Sequence, residues 1–310
     1  MSSNGGGLKY MEHKHIDYNK WDRCVENANN SRIYAMSWHL DRTAEIWDAL
    51  ILGDYEIVMP LPFRKKWGIK YLYQPAYSQQ LGIFPNPPEI ISKQFYSELI
   101  NQFRLSDLQI NSQNNPIHQR NVAKFKPRIN YLLNLSPDYS SLSTSFSNNT
   151  KRNIKKADEH QLSFTRGVKI EEFLKLKNEI SLPDSEKNEI TKLKSLIAYG
   201  QYTGCGEVSG VYNKENIIIA AVYFARWKNR IIFLNAVSNE EGKKLRAMFY
   251  LVDKFIEYSA GNNLILDFEG SMIPGVARFY KGFGGIPETY HQFSFNKLHP
   301  FVNWVKNILR

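Results

Sequence analysis

Two acids sit close together near a glycine in residues 264–270, LILDFEG. Strand alternation sets Leu264, Leu266 and Phe268 on one face and Ile265, Asp267 and Glu269 on the other. Two carboxylates therefore leave the strand together at its C-terminal end, where ligands gather in open α/β sheets. A carboxylate in a largely apolar cleft has its pKa raised toward the range a general base needs, so Glu269, with Asp267 or through water, is a candidate to take a proton from an attacking amine. The same residues admit a structural reading in which Glu269 caps the turn at Gly270 and Asp267 pairs with a nearby base.

A second group is cationic. Residues 150–157, TKRNIKKA, place Arg152 and Lys156 one helical turn apart, and likewise Lys151 and Lys155, with Ile154 and Ala157 free to face inward. A solvated face is the ordinary meaning of such a run. Arg152, Lys155 and Lys156 are also candidates to hold a phosphorylated substrate.

Further along, Ala277-Arg278-Phe279-Tyr280 followed by Gly282-Phe283-Gly284-Gly285 is similar to the ending of GNAT-superfamily acyltransferases. In those enzymes the helix after the fifth strand presents a Tyr as general acid to the leaving thiolate, a role the resemblance gives to Tyr280. A core tyrosine bonded to a backbone carbonyl is the competing reading. Pro274 stands where these enzymes commonly carry Asn. The segment 150–157, leading to Leu162-Ser163-Phe164, resembles the Fem-type branch, whose members are tandem GNAT folds that transfer amino acids or other acyl groups to amines.

The resemblance also implies a donor site. The fourth GNAT strand hydrogen-bonds the pantetheine arm, and a glycine loop at the next helix start cradles the pyrophosphate with backbone N–H groups. Residues 231–238 stand for that strand and 239–244, NEEGKK, for that loop. The implied donor-binding residues are Asn235, Val237, Ser238, Gly242, Lys243 and Lys244. The loop keeps one glycine of the pattern and carries two acids, Glu240 and Glu241, where phosphates would lie. An ordinary helix N-terminus with acids favoured by the dipole is the alternative.

The elements that must position these groups read as two strand-rich blocks. Helical spacing of Trp21, Cys24, Val25 and Ala28 predicts a first helix. Strands follow at 47–53 and 55–63, then a turn at 64–68 and a strand at 69–74, with Pro60 and Pro62 arguing for an edge position or a bulge. An amphipathic segment at 89–103 and a strand at 108–110 complete the block. The Ser-rich stretch 136–147 reads as a linker, with Asn148, Asn149 and Thr150 as caps of the basic helix.

The second block has strands at 162–166, 207–212, 217–225, 231–238, 264–268 and 289–295, with helices at 170–180, 185–199, 242–260 and 276–282. Phe63 to Ser78 in the first block and Phe224 to Ser238 in the second follow the same course of strand, basic aromatic turn and return strand, which suggests duplication. The expected fold is α/β (α+β): two tandem GNAT-like domains, 1–135 and 136–310, each a mixed, mostly antiparallel sheet flanked by helices. The active site is expected in the second. The C-terminal segment 301–310, with Phe301, Val305 and Ile308 on one face, is expected to dock on that domain.

Composition bounds the rest. A chain of 310 residues with 43% hydrophobic and 14% aromatic content is long and apolar enough for packed cores, which excludes a disordered or collagen-like polymer. The longest apolar run, residues 217–225, is far short of the roughly 20 residues needed to span a bilayer. The first ten residues carry no apolar signal core, so the cytoplasm is the expected compartment. Two cysteines and seven scattered histidines give neither a disulfide framework nor a metal site, and no metal is expected. Nucleophile-elbow, Walker and Rossmann glycine patterns are absent.

The net charge of +10 suits a phosphate-bearing partner. The sequence therefore points to an N-acyltransferase that uses an acyl-CoA (acetyl-CoA included) and a primary amine, with neither DNA binding nor membrane insertion. The alternatives are an aminoacyl-tRNA-dependent transferase acting on a cell-wall precursor and a non-catalytic binding protein of the same fold.

Overall fold

The computed structural model describes residues 7–117, 122–179, 184–270 and 272–298. The segment 301–310 lies outside them. Contacts divide the chain into two compact units, one of residues up to Arg128 together with those from Thr289 onward, the other Ile129–Glu288. Each holds mostly antiparallel strands together with helices.

Unit 1 begins with β1 (Leu8–Met11) and α1 (Tyr18–Asn27). Asp17 caps α1 by accepting the N–H groups of Asn19 and Lys20. The helix buries Trp21 and Val25, and the Trp21 indole donates to the Ala35 carbonyl at 2.8 Å. Then come α2 (Ser37–Thr43), β2 (Ile46–Leu52), β3 (Ile57–Lys66), β4 (Ile69–Leu72), α3 (Glu89–Gln102) and β5 (Leu105–Ile110).

β3 pairs with β2 from Ile57 to Phe63 and with β4 from Phe63 to Lys66, so the prolines lie in an interior strand but on a stretch with a ladder on one side only. The Val58 N–H bonds Phe84 on the side away from β2, and alternation points positions 60 and 62 the same way. That side has no ladder until β4 begins, so two missing N–H groups cost the sheet nothing there.

In unit 2, β6 (Ala123–Asn134), which enters from unit 1, precedes α4 (Tyr139–Thr144), α5 (Asn148–Asp158), β7 (Ser163–Arg166), α6 (Ile170–Asn178), α7 (Asp184–Thr203), β8 (Gly206–Tyr212), β9 (Ile218–Trp227) and β10 (Arg230–Ser238). The chain continues through α8 (Glu240–Lys244), α9 (Ala247–Ser259), β11 (Ile265–Asp267), α10 (Pro274–Gly282) and β12 (Ile286–Asn296). Strand order is β1-β2-β3-β4-β5-β12 in unit 1 and β6-β11-β10-β9-β8-β7 in unit 2. β12, which the sequence division groups with the second half, pairs with β5 from His291 onward.

Three local expectations change. The Ser-rich stretch is not only a linker, because Asp138 accepts the Ser141 N–H and starts α4. The basic helix is capped by Ser147, whose hydroxyl accepts the Thr150 N–H, so Asn148, Asn149 and Thr150 are already inside it. The helix expected at 242–260 is two helices, broken where Arg246 takes a left-handed φ of 62°. The unit 2 core runs between sheet and helices through Phe224, Phe233, Phe255 and Phe268, with Phe224 stacked on Phe255 at 3.7 Å between centroids. Among the described residues no helix is long and apolar enough to cross a membrane.

Candidate active site

The site begins where two parallel strands part. β10 and β11 pair in parallel for three residues, from Arg230 with Ile265 to Ile232 with Asp267. β11 ends there, while β10 runs on to Ser238 beside β9 alone, skipping Leu234 in a bulge. The next residue after β11, Phe268, bonds instead to Tyr131 of β6. No strand among the described residues pairs with the far half of β10 on its β11 side. Asn235, just past the bulge, has a buried Oδ1 with no hydrogen-bond partner. An unsatisfied amide oxygen at such a place is what a ligand N–H would complete.

α10 places Tyr280 against this opening. Its ring stacks on Phe268 at 4.8 Å and meets Phe233 of β10 edge-on at 6.0 Å. Among the described residues nothing hydrogen-bonds its hydroxyl, so the alternative of a phenol held by a backbone carbonyl is not what is found. Burial raises the Tyr280 pKa above the ordinary phenol value, and the negative charges of Glu269 and then Asp267 add to the rise. Tyr280 therefore stays protonated at any working pH, and Glu269 is the acid nearest in effect to it.

The two acids have different situations. Asp267 is buried and paired with Arg230 at 2.5 Å, and its other oxygen accepts the Glu269 N–H at 2.9 Å. It is the partner of a base, as one reading of the sequence allowed, and it fixes the turn. Glu269 leaves strand alternation altogether at a φ of 57°, followed by Gly270 at 56°. A Cβ on Gly270 would lie 2.1 Å from the Ile129 carbonyl oxygen, so only glycine lets the turn pack against β6. Arg230 is the residue that sequence reasoning missed. Its only sequence signal is a cation opening one strand of a parallel pair whose partner ends in an acid.

Gly282, two residues after Tyr280, is a point of close approach. A Cβ on Gly282 would lie 2.3 Å from Thr150 Oγ1, and the Gly282 carbonyl accepts the Ser147 N–H. This glycine seats α10 on the start of α5.

The donor loop differs from expectation. The Gly242 N–H is already bonded to Asn239 Oδ1 at 2.9 Å, and Gly242 is buried against β9. Lys243 pairs with Glu240 at 2.6 Å, and Asn213 donates to Glu241. Ser238 Oγ donates to the Ile219 carbonyl, and Val237 is buried beside Ala221. Of the implied donor residues, Asn235 and the exposed Lys244 keep free polar groups. Arg152, Lys155 and Lys156 lie on the exposed face of α5, and no contact among the described residues joins them to Tyr280 or Glu269. No group of three or more His, Cys, Asp or Glu stands together among the described residues.

The sequence matches no family profile and no curated protein. Solved structures do match. FemX superimposes with a TM-score of 0.61 at 12% identity, over 91% of this chain and 96% of that one. A conserved protein of unknown function from Bacteroides thetaiotaomicron gives 0.58 at 10% identity, covering 91% and 98%. The C-terminal domain of an Agrobacterium fabrum protein described as a lysylphosphatidylglycerol synthetase gives 0.54 at 8%, covering 90% and 91%. The chain has a FemX-like fold.

Proposed function

We propose that the protein is a transferase that moves an acyl or aminoacyl group from an activated donor to a primary amine, with its chemistry in the parted strands of unit 2. The observation that carries this reading is the Tyr280 hydroxyl, protonated and without a protein partner, under the field of Glu269 where β10 loses β11. In this reading each unit is a GNAT-like copy, with β3, β4 and β5 answering to β9, β10 and β11.

The donor carbonyl lies along the far half of β10, where the free Asn235 oxygen accepts a hydrogen bond from the donor chain. The amine lone pair attacks the carbonyl carbon and the bond to sulfur or oxygen breaks. Glu269 takes the proton that nitrogen gives up, and Tyr280 donates a hydrogen bond to the departing atom. A phenol raised above 10 does not surrender its proton to a thiolate whose conjugate acid lies near 8.5, so for a thioester the hydrogen bond is the whole of its role. Toward an alkoxide leaving group the transfer is downhill. Asp267, held by Arg230, is a positioning residue that sets the turn from which Glu269 projects.

Acyl-CoA is the first donor class to test. One observation favours the second, an aminoacyl ester on tRNA: the Gly242 N–H is occupied and acids flank it, so the loop offers a pyrophosphate little backbone. Thermal-shift titration of the full chain with acetyl- and longer acyl-CoA, and with aminoacyl-tRNA, decides. A donor at about 100 times its Kd adds roughly 2.7 kcal/mol, a shift of several degrees. A shift with one class identifies the donor. No shift with either removes the donor site and leaves a binding protein that kept the fold.

A further inference from the structure

We propose a second ligand site, in unit 1, that takes a small planar-ring anion. The turn of the β3–β4 hairpin, the start of β5 and the end of β12 surround a cavity of about 790 Å³ whose lining residues all belong to unit 1. That volume is in the range of small-molecule sites. None of its residues enters the transfer reading.

Register puts an aromatic platform on one face of the sheet. Arg64 is opposite Tyr71, Tyr71 is beside Leu105, and Leu105 is opposite Asn296, so the four form one row. Tyr73 follows Tyr71 by two positions, and Trp67, more than half exposed at the hairpin turn, stands at the rim. Such ring faces hold a planar ligand by stacking.

The charges ask for an anion. Arg64 is engaged, its Nε on Glu45 at 2.8 Å and its guanidinium over the Tyr73 ring at 4.2 Å. The lining acid Asp107 accepts the Gln292 amide. Lys66, its ammonium over the Trp67 ring at 5.0 Å, and the exposed Lys124 line the cavity with no carboxylate partner among the described residues. Aromatic faces and two lysines without carboxylate partners among the described residues specify a ring joined to an acidic group, either a nucleotide or an aromatic carboxylic acid.

Calorimetric titration of the full chain with adenosine 5′-monophosphate and with 2-naphthoate, each against its neutral counterpart (adenosine, 2-naphthamide), tests the site and separates the two sources. One anion should bind saturably with a Kd at or below about 1 mM, its neutral counterpart about tenfold more weakly, with the difference shrinking as salt rises. Tyr71→Ala should weaken binding by about tenfold. Lys124→Glu, at an exposed position, should weaken it about fivefold and keeps the test available should Tyr71→Ala fold poorly. Absence of saturable binding by both anions, equal affinity for the neutral compounds, or unchanged affinity in Lys124→Glu overturns the proposal.

Discussion

Unit 1 and unit 2 each contain a hairpin whose second strand runs parallel to a later strand, and they end that parallel contact in opposite ways. In unit 1, β4 pairs with β5 through Leu72 and Ser106 and then stops. The space beyond is filled by the protein itself. Gln74 accepts the Gln109 N–H at 2.7 Å and donates to the Ser78 carbonyl, and Leu81 bonds β5 on both its N–H and its carbonyl. Buried Gln80, Asn111, Asn114 and Asn30 complete the seal. In unit 2 no strand among the described residues pairs with the far half of β10 on its β11 side, and the buried Asn235 Oδ1 there has no hydrogen-bond partner among them. The same strand geometry is thus structural where a following segment of the chain pairs with it and a candidate site where none among the described residues does.

The comparison breaks most directly at Tyr280. Tyr280→Phe keeps the packing on Phe268 and Phe233 and deletes only the hydroxyl. On the transfer reading, turnover on a substrate found by donor screening should fall by roughly 10²-fold or more, while the melting temperature barely moves because that hydroxyl has no partner to lose. Wild-type turnover in the variant would make Tyr280 a core residue and leave the open strands of unit 2 without an assigned chemistry.

What was legible in the sequence follows the range of the interactions concerned. Both hairpins were readable because β-branched and aromatic residues flank short polar turns, a signal confined to a few neighbouring positions. Tyr280 was legible through the family resemblance of 277–285, and Glu269 as an acid just past a short strand, although the positive φ that takes it out of the strand's alternation was not. β6 was not, because Lys124, Lys126, Pro127 and Arg128 dilute its apolar alternation until Ile129. The break at Arg246 was hidden by good helix formers on either side, whose propensity tertiary packing overrides. The Arg230–Asp267 pair and the return of β12 to β5 join residues far apart in sequence, and no local pattern encodes them.

The sealed strands of unit 1 carry a pH dependence of their own. His39 donates from Nε2 to the Tyr77 carbonyl at 2.9 Å and lies 3.2 Å from Ser78 Oγ, bracing the segment that Gln74 holds, while its Nδ1 is buried without a partner. Burial lowers its pKa to about 4, offset in part by the Tyr77 contact, with Arg42 lowering it further. The unfolded chain, with histidine near 6.5, binds more protons between these values than the folded one. Stability should therefore be level above about pH 6.5, fall as pH drops from there to about 4, and level off below, by at most about 3 kcal/mol from this group. Urea unfolding of wild type and His39→Gln across that window checks it: the difference between them should flatten the slope, and identical slopes would place the acid sensitivity elsewhere.

The smallest expected effect tests whether the loop after β10 belongs to the open site. Lys243 and Lys244 are adjacent in α8, but Lys243 is already paired with Glu240 and Lys244 is exposed without a carboxylate partner among the described residues. An exposed charge is strongly screened, so reversing it changes the affinity for a phosphate-bearing donor by a few-fold, not by orders of magnitude. Lys244→Glu should weaken binding by about threefold to fivefold at low ionic strength, and the loss should shrink toward nothing as salt shortens the Debye length to about 3 Å near 1 M. Because Lys243 already spends part of its field on Glu240, Lys243→Glu should weaken donor binding less. A loss in neither variant takes α8 out of the donor site, and the donor would then be held by the far half of β10 alone, through its backbone and Asn235. A loss that salt does not diminish would mean the substitutions act by disturbing the Asn239 cap on Gly242, not through the donor's phosphates.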